Sequence, residues 1–140
     1  MLVRLLYASR AVDTSPEAIE AILLESRHHN PECGITGILC YGGGIFLQAL
    51  EGGRLAVSEL FGHIQRDPRH NDVVLLHYEE ISERRFAGWT MGQVNMSKIN
   101  ASILLKYAEK AVLDPYSVSG KVSLALLEEL MATACIIGRS

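Results

Sequence analysis

The stretch ITGILCYGGGIFLQAL, residues 35–50, decides the fold. Two β-rich runs, 35–41 and 44–50, flank Gly42, Gly43 and Gly44, and that pattern reads as a β-hairpin. Three consecutive glycines also suit a phosphate cradle, but such loops open a helix, whereas these lead into a strand. Upstream, residues 2–8 (LVRLLYA) form a short, partly alternating apolar run that predicts a first strand. Between it and the hairpin, Thr14-x-x-Glu17 resembles a capping box, Pro16 suits a first helical turn, and Ile19, Ile22, Leu23 and Ser26 recur at helical spacing. Asn30-Pro31 is expected to end that helix, because proline disfavours helical geometry in the residue before it.

Downstream of Gly52-Gly53, Val57, Leu60, Phe61 and Ile64 mark a second helix, which Asp67-Pro68 stops. Residues 72–79 (DVVLLHYE) predict a fourth strand and 88–95 (GWTMGQVN) a weaker fifth. The order βαββαββ is that of an α+β, ferredoxin-like sandwich with about five strands in a mixed sheet and two helices on one face. In that plan the first and third strands are neighbours. The tail, residues 97–140, predicts two helices, over 98–111 and 118–137, separated by Asp114-Pro115. Leu124, Leu127 and Met131 form a stripe that Leu126 and Leu130 widen, so it must be buried. The open sheet face is its natural target, and a partner subunit is the alternative. The expected division is a domain over residues 1–96 and a helical extension over 97–140.

Composition narrows the function. Across 140 residues, 49% are hydrophobic and 21% charged, which excludes intrinsic disorder. A net charge of −3 argues against a direct nucleic-acid binder. Cys33, Cys40 and Cys135 are odd in number and contain no C-x-x-C, so neither a disulfide framework nor a metal site is indicated. No apolar run is long enough for a signal peptide or a membrane span, and the expectation is a soluble cytoplasmic domain.

Polar residues at core positions are the informative anomaly. Ser26 and Asn30 continue the apolar face of the first helix. Parity puts Gln48 on one face with Phe46 and Leu50, Tyr7 with Val3 and Leu5, and Trp89 with Met91. A buried amide or phenol costs about 1–3 kcal/mol if its hydrogen bonds are unmade, so these groups need partners. Singly, each reads as a satisfied structural group. Together they suggest a slot between the helices for a flat molecule with carbonyl and N–H edges, which an amide matches with both a donor and an acceptor. In Arg66-Asp67-Pro68-Arg69-His70, a solvated loop competes with a binding segment in which Asp67 meets sugar hydroxyls and Arg69 a phosphate.

At these residues the sequence resembles the BLUF family of blue-light sensors that use flavin. The resemblance rests on Tyr7 with Ser9-Arg10, His29-Asn30 with Thr36-Gly37, the run Phe46-Leu47-Gln48-Ala49-Leu50-Glu51-Gly52, Asp67-Pro68-Arg69-His70, and Arg84-Arg85-Phe86-Ala87-Gly88-Trp89-Thr90-Met91. It implies a flavin between the two helices, with Tyr7 and Gln48 as the photoactive pair. Ser26, His29, Asn30, Gln48, Asp67, Arg69 and His70 would bind the cofactor, with Asn30 on the pyrimidine edge. The family mechanism has Tyr7 donate an electron to the photoexcited flavin while a proton follows through Gln48. Recombination leaves Gln48 rotated or tautomerised and the absorption shifted to the red. Trp89 and Met91, near Gln48, would relay the change toward the tail. FAD is the implied cofactor, with FMN and riboflavin as alternatives because the slot grips the shared ring.

No substrate is turned over, so the implied protein is a sensor and not an enzyme. Its output would pass to a separate downstream protein or through homodimerisation. Two rival readings remain. Acylphosphatases share the fold plan and use Arg and Asn at a phosphate site, as Arg69 and Asn30 would suggest, but their Gly-rich, Arg-bearing loop after the first strand has no match. The other is a flavin-free interaction module docking through the C-terminal stripe.

Overall fold

The computed structural model describes residues 1–89, 91–94, 96, 99–133 and 136–137. Thr90, Asn95 and Cys135 lie outside them, and with them part of the fifth-strand and last-helix expectations. The elements are β1 (Leu2–Ala11), α1 (Pro16–Glu32), β2 (Thr36–Gly42), β3 (Ile45–Gly53), α2 (Arg54–Arg66), β4 (His70–Ile81), β5 (Gly92–Val94), α3 (Ala101–Tyr107), α4 (Gly120–Thr133) and β6 (Ile136–Ile137).

The sheet order is β4-β1-β3-β2-β5-β6. β1 is antiparallel to both β3 and β4, β2 is antiparallel to β3, and β5 runs parallel to β2. This is the ferredoxin-like plan, extended at one edge. The hairpin turns through Gly43 and Gly44 at φ +58° and +80°, a pair of positive values that glycine adopts without strain and that the two-residue hairpin turn requires.

Two apolar layers flank the sheet. On one face, Val3, Leu5, Leu39, Phe46 and Leu50 pack against Ile19, Ile22 and Leu23 of α1 and Val57 of α2. On the other, Leu6, Ile38, Cys40, Leu47 and Ala49 pack against Leu104 of α3 and Leu124, Leu126, Leu127 and Leu130 of α4. The wide tail stripe is therefore buried on this chain's own sheet. Gly120 admits that packing: a Cβ there would stand 2.0 Å from the Leu76 carbonyl oxygen, so any larger residue would force α4 off β4.

Three local expectations shift. Ser15, one residue beyond Thr14, caps α1 and accepts from the Ala18 amide, and the helix carries Pro31 in its last turn before ending at Glu32. α3 is shorter than its apolar pattern, starting at the Asn100 cap and stopping at Tyr107. α4 ends at Thr133, and Ile136–Ile137, β-branched residues suited to a strand, pair instead with Val94 and Gln93.

A buried ion pair ties the sheet to the loop between β4 and β5. The Glu51 carboxylate accepts from Arg4 Nε at 2.7 Å, from the Phe86 amide at 2.6 Å and from the Arg85 amide at 3.1 Å. Arg84 adds a bond to Thr36 Oγ1 at 3.0 Å. The spaced motifs around Leu50-Glu51-Gly52 and Arg84-Arg85-Phe86 thus meet in space: one carboxylate satisfies the loop's inward N–H groups, which could not otherwise be buried. The Arg85 side chain continues outward to pair with Glu128 of α4.

Candidate functional site

β1 and β3 bring Tyr7 and Gln48 into direct cross-strand register. Both side chains are buried at 2% exposure and project from the face that α1 and α2 cover. Tyr7 Oη donates to Gln48 Oε1 at 2.5 Å, and Gln48 Nε2 donates to Met91 Sδ at 3.2 Å. Burial pushes the Tyr7 phenol well above its ordinary range, and the Asp67 carboxylate adds to the effect, so Tyr7 stays protonated and remains a donor. Phe61 of α2 packs on the Tyr7 ring, with centroids 5.6 Å apart.

Above this pair lies a cavity of about 370 Å³ between α1 and α2, a volume in the range of small-molecule sites. Its lining includes Tyr7, Gln48, Ser26, His29 and Asn30, and at its mouth Asp67, Arg69 and His70. The fold therefore gathers every residue expected to bind the cofactor around one cavity. Asn30 is 2% exposed, yet its Nδ2 has no hydrogen-bond partner among the described residues. A buried amide N–H₂ without an acceptor, beside a cavity floored by apolar side chains and an amide, fits a flat ligand that presents a carbonyl edge. His70 is part-buried, 2.8 Å from Ser9 Oγ through Nδ1 and tilted against the Phe46 ring; burial lowers its pKa and favours the neutral ring.

At the mouth, two residues expected to bind the cofactor meet each other. Arg69 forks onto Asp67, with its Nε 3.0 Å from both carboxylate oxygens and its Nη2 2.7 Å from Oδ2, and Nη2 also meets Glu25 at 2.8 Å. Asp67 in turn is held below the usual carboxylate range, chiefly by its hydrogen bonds from Arg69. Arg69 thus fixes Asp67 in place and shares its charge between two carboxylates. An Arg69→Ala variant is expected to weaken FAD, FMN and riboflavin binding by similar factors, measured by fluorescence titration. A loss confined to the two phosphorylated flavins would instead make Arg69 a direct phosphate contact.

Trp89 and Met91 do not share a face. Met91 is 1% exposed and joins the α1/α2 side, whereas Trp89 packs toward the tail-side core. The regular strand begins only at Gly92, so the alternation of strand side chains does not extend back to Trp89. The Trp89 backbone still meets β2, accepting from the Gly37 amide at 3.0 Å.

Sequence reasoning missed Glu25 and His63 as lining residues. The signal for His63 was present, since Leu60, His63 and Ile64 lie on one face of α2, but a histidine at an apolar stripe's edge reads as solvated. Cys33 is exposed and Cys40 buried, and both are free thiols. Among the described residues no group of His, Cys, Asp and Glu is placed to hold a metal ion, and no helix is long and apolar enough to cross a membrane.

A ferredoxin-like domain whose central strands present a bonded phenol–amide pair to a cavity between two helices defines a ligand-binding domain with a redox-capable floor. The family model described as sensors of blue-light using FAD matches residues 2–92, and the chain belongs to this family, BLUF. It is a blue-light sensor domain of the kind that uses a flavin. Photoactivated adenylate cyclase subunit beta of Euglena longa is 40% identical over 94 residues, covering 64% of this chain and 11% of that protein. The blue light- and temperature-regulated antirepressor BluF of Escherichia coli (strain K12) is 36% identical over 87 residues, or 61% of this chain and 22% of BluF. This chain thus spans only a small part of those proteins. Two solved structures match along nearly their whole length. The photo-activated state of BlsA superposes with a TM-score of 0.80 at 32% identity, covering 94% of this chain and 95% of that one. The dark state of BlrB, a BLUF protein, gives 0.73 at 38% identity with the same coverages.

Proposed function

We propose that Tyr7 and Gln48 convert blue light into a rearranged hydrogen bond at a flavin held between α1 and α2. The observation that carries this reading is the Tyr7 Oη–Gln48 Oε1 bond at 2.5 Å, made at the cavity floor by a phenol kept neutral through burial. A bound flavin supplies a strong one-electron acceptor when it absorbs blue light. Tyr7 supplies an electron and, along its bond to Gln48, a proton, and takes both back. Gln48 ends with donor and acceptor redirected by rotation or tautomerisation. No substrate is consumed, so the outcome is a signal.

In this reading the flavin is FAD, as the family description has it. Asn30 holds the carbonyl edge of the ring, while Ser26, His29, Asp67, Arg69 and His70 line the ring and the mouth. Met91 reads the Gln48 amide directly. Trp89, anchored to β2, reports on the same segment from the tail side. Residues 1–96 form the sensory unit, and 97–140 form the extension through which the change reaches a downstream protein. A light-regulated cyclase or an antirepressor is the kind of output found in relatives.

The deciding measurement is a pair of absorption spectra, dark and illuminated. A yellow protein whose visible band moves to the red under blue light and reverts in darkness is the expected result. A protein that purifies colourless and takes up no added flavin would refute it, and would return the interaction-module reading. Within a working sensor, Asn30→Ala is expected to weaken flavin binding about 5- to 150-fold, the equivalent of the roughly 1–3 kcal/mol lost with a desolvated hydrogen bond. Unchanged affinity in a titration would remove Asn30 from the binding set.

A further inference from the structure

Arg27 lies on α1 directly after Ser26, but it plays no part in lining the cavity. Its Nη2 reaches across to β5 and donates to Gln93 Oε1 at 3.1 Å, a contact between residues 66 apart in sequence. Its Nε is buried and has no acceptor among the described residues. A half-buried guanidinium whose Nε donor is buried and unmade is an under-satisfied group, and its energy changes with the position of nearby acceptors.

Gln93 stands two residues beyond Met91, the side chain that accepts the Gln48 amide. β5 itself has only three residues and pairs at only two positions on each side, Ile38 with Gly92 and Leu39 with Gln93 toward β2, and Ile137 with Gln93 and Ile136 with Val94 toward β6. A strand so short draws little stability from its backbone ladder, so side-chain links weigh heavily in fixing its place. Among the described residues two such links reach β5 or the residue just before it from the flavin side. One runs from Gln48 to Met91 Sδ, and thioether sulfur is a weak acceptor. The other runs from Arg27 to Gln93 and is assisted by charge.

We propose that the Arg27–Gln93 contact is the tether that holds β5 in its dark position, and that Arg27 is a positioning residue for the return from the lit state. The inference rests on the Tyr7–Gln48 reading above. When the Gln48 amide turns, Met91 loses its donor, and Arg27 is then the link that still draws β5 toward α1. Without it β5 is held less firmly toward α1, and the return to the dark arrangement is slower.

The test is dark-recovery kinetics of the flavin-loaded protein after a blue pulse, followed by absorption, for Arg27→Ala, Gln93→Leu and the double variant. Each single variant is expected to keep the full red shift, because Tyr7, Gln48 and Asn30 are untouched, and to recover about tenfold more slowly, the factor that a charge-assisted hydrogen bond of modest net strength accounts for. The double variant recovers at the rate of the singles, since both remove one and the same contact. Gln93→Glu, which keeps an acceptor and gives it a charge, recovers faster than the unmodified protein. Unaltered recovery in both single variants with a normal red shift overturns the tether. So does multiplication of the two effects in the double variant, which would mean that the residues act separately. Should Arg27→Ala fail to fold, Gln93→Leu and Gln93→Glu still decide the matter, because Gln93 lies in a short strand near the sheet edge. A missing red shift in the unmodified, flavin-loaded protein is a different failure, because it strikes the Tyr7–Gln48 reading itself.

Discussion

A Tyr7→Phe variant is expected to bind flavin as tightly as the unmodified protein and to show no light-induced red shift. Phenylalanine keeps the ring that packs on Phe61 and fills the same volume beneath the cavity. What it lacks is the hydroxyl that donates to Gln48 Oε1, and with it an accessible oxidation coupled to a proton path. The loss should be complete, because no other tyrosine among the described residues lines the cavity. Gln48→Leu should give the same loss by the opposite route, keeping the oxidisable phenol and deleting the group that is rearranged. Its Tyr7 hydroxyl would then sit buried without its acceptor, so this variant should also lose about 1–3 kcal/mol of stability. A reversible red shift of normal size in either variant would end that residue's part in the photochemistry.

The largest expected loss of stability follows from Glu51→Ala. The Glu51 carboxylate is fully buried and receives one guanidinium N–H and two backbone N–H donors. Removing one partner of a buried ion pair leaves an uncompensated charge, at a cost of about 3–5 kcal/mol. Arg4, 3% exposed, would keep only Glu79, at 3.3 Å and partly in solvent. The amides of Arg85 and Phe86 would lose their acceptor as well. For a chain of this length such a loss lowers the melting temperature by about 10–17 °C. A urea midpoint matching that of the unmodified protein would show that Arg4 and the loop amides find other partners. Because the segment that Glu51 anchors leads into Met91 and β5, the variant should also report whether that loop has to be rigid for a normal red shift.

The chain order of its elements was legible in the sequence because each rests on local chemistry. Glycines that accept positive φ fixed the hairpin, apolar residues at helical spacing fixed α1 and α2, and strand alternation put Tyr7 and Gln48 on the face that the helices cover. The candidate site was legible for a related reason. Burying polar groups is costly, so Asn30 and Gln48 on apolar faces stood out as groups in need of a partner. The boundaries that shifted depend on weaker signals. Ser15 and Thr14 are almost equally good caps, and one proline in a last turn costs a helix little because few of its hydrogen bonds remain to be broken.

What the sequence by itself determined is the layered sandwich, the polar slot and the placing of Tyr7 and Gln48 on adjacent strands, since all three follow from periodicity and from the cost of burying polar atoms, whereas the pairing of Tyr7 with Gln48 was implied only by the resemblance to the BLUF family. Tertiary structure alone decided the rest. It joined Glu51 to a loop more than thirty residues away, closed Arg69 onto Asp67 and Glu25, turned Met91 toward Gln48 and Trp89 away from it, and brought Arg27 to Gln93. It also laid the tail stripe on the chain's own sheet, leaving the apolar residues of α4 buried instead of free for a partner. Apart from the local Arg69–Asp67 fork, these contacts join residues far apart in sequence. Periodicity tells which face a residue occupies, but the choice among several charged or polar neighbours on that face is made only when the packed elements bring one of them within hydrogen-bonding distance.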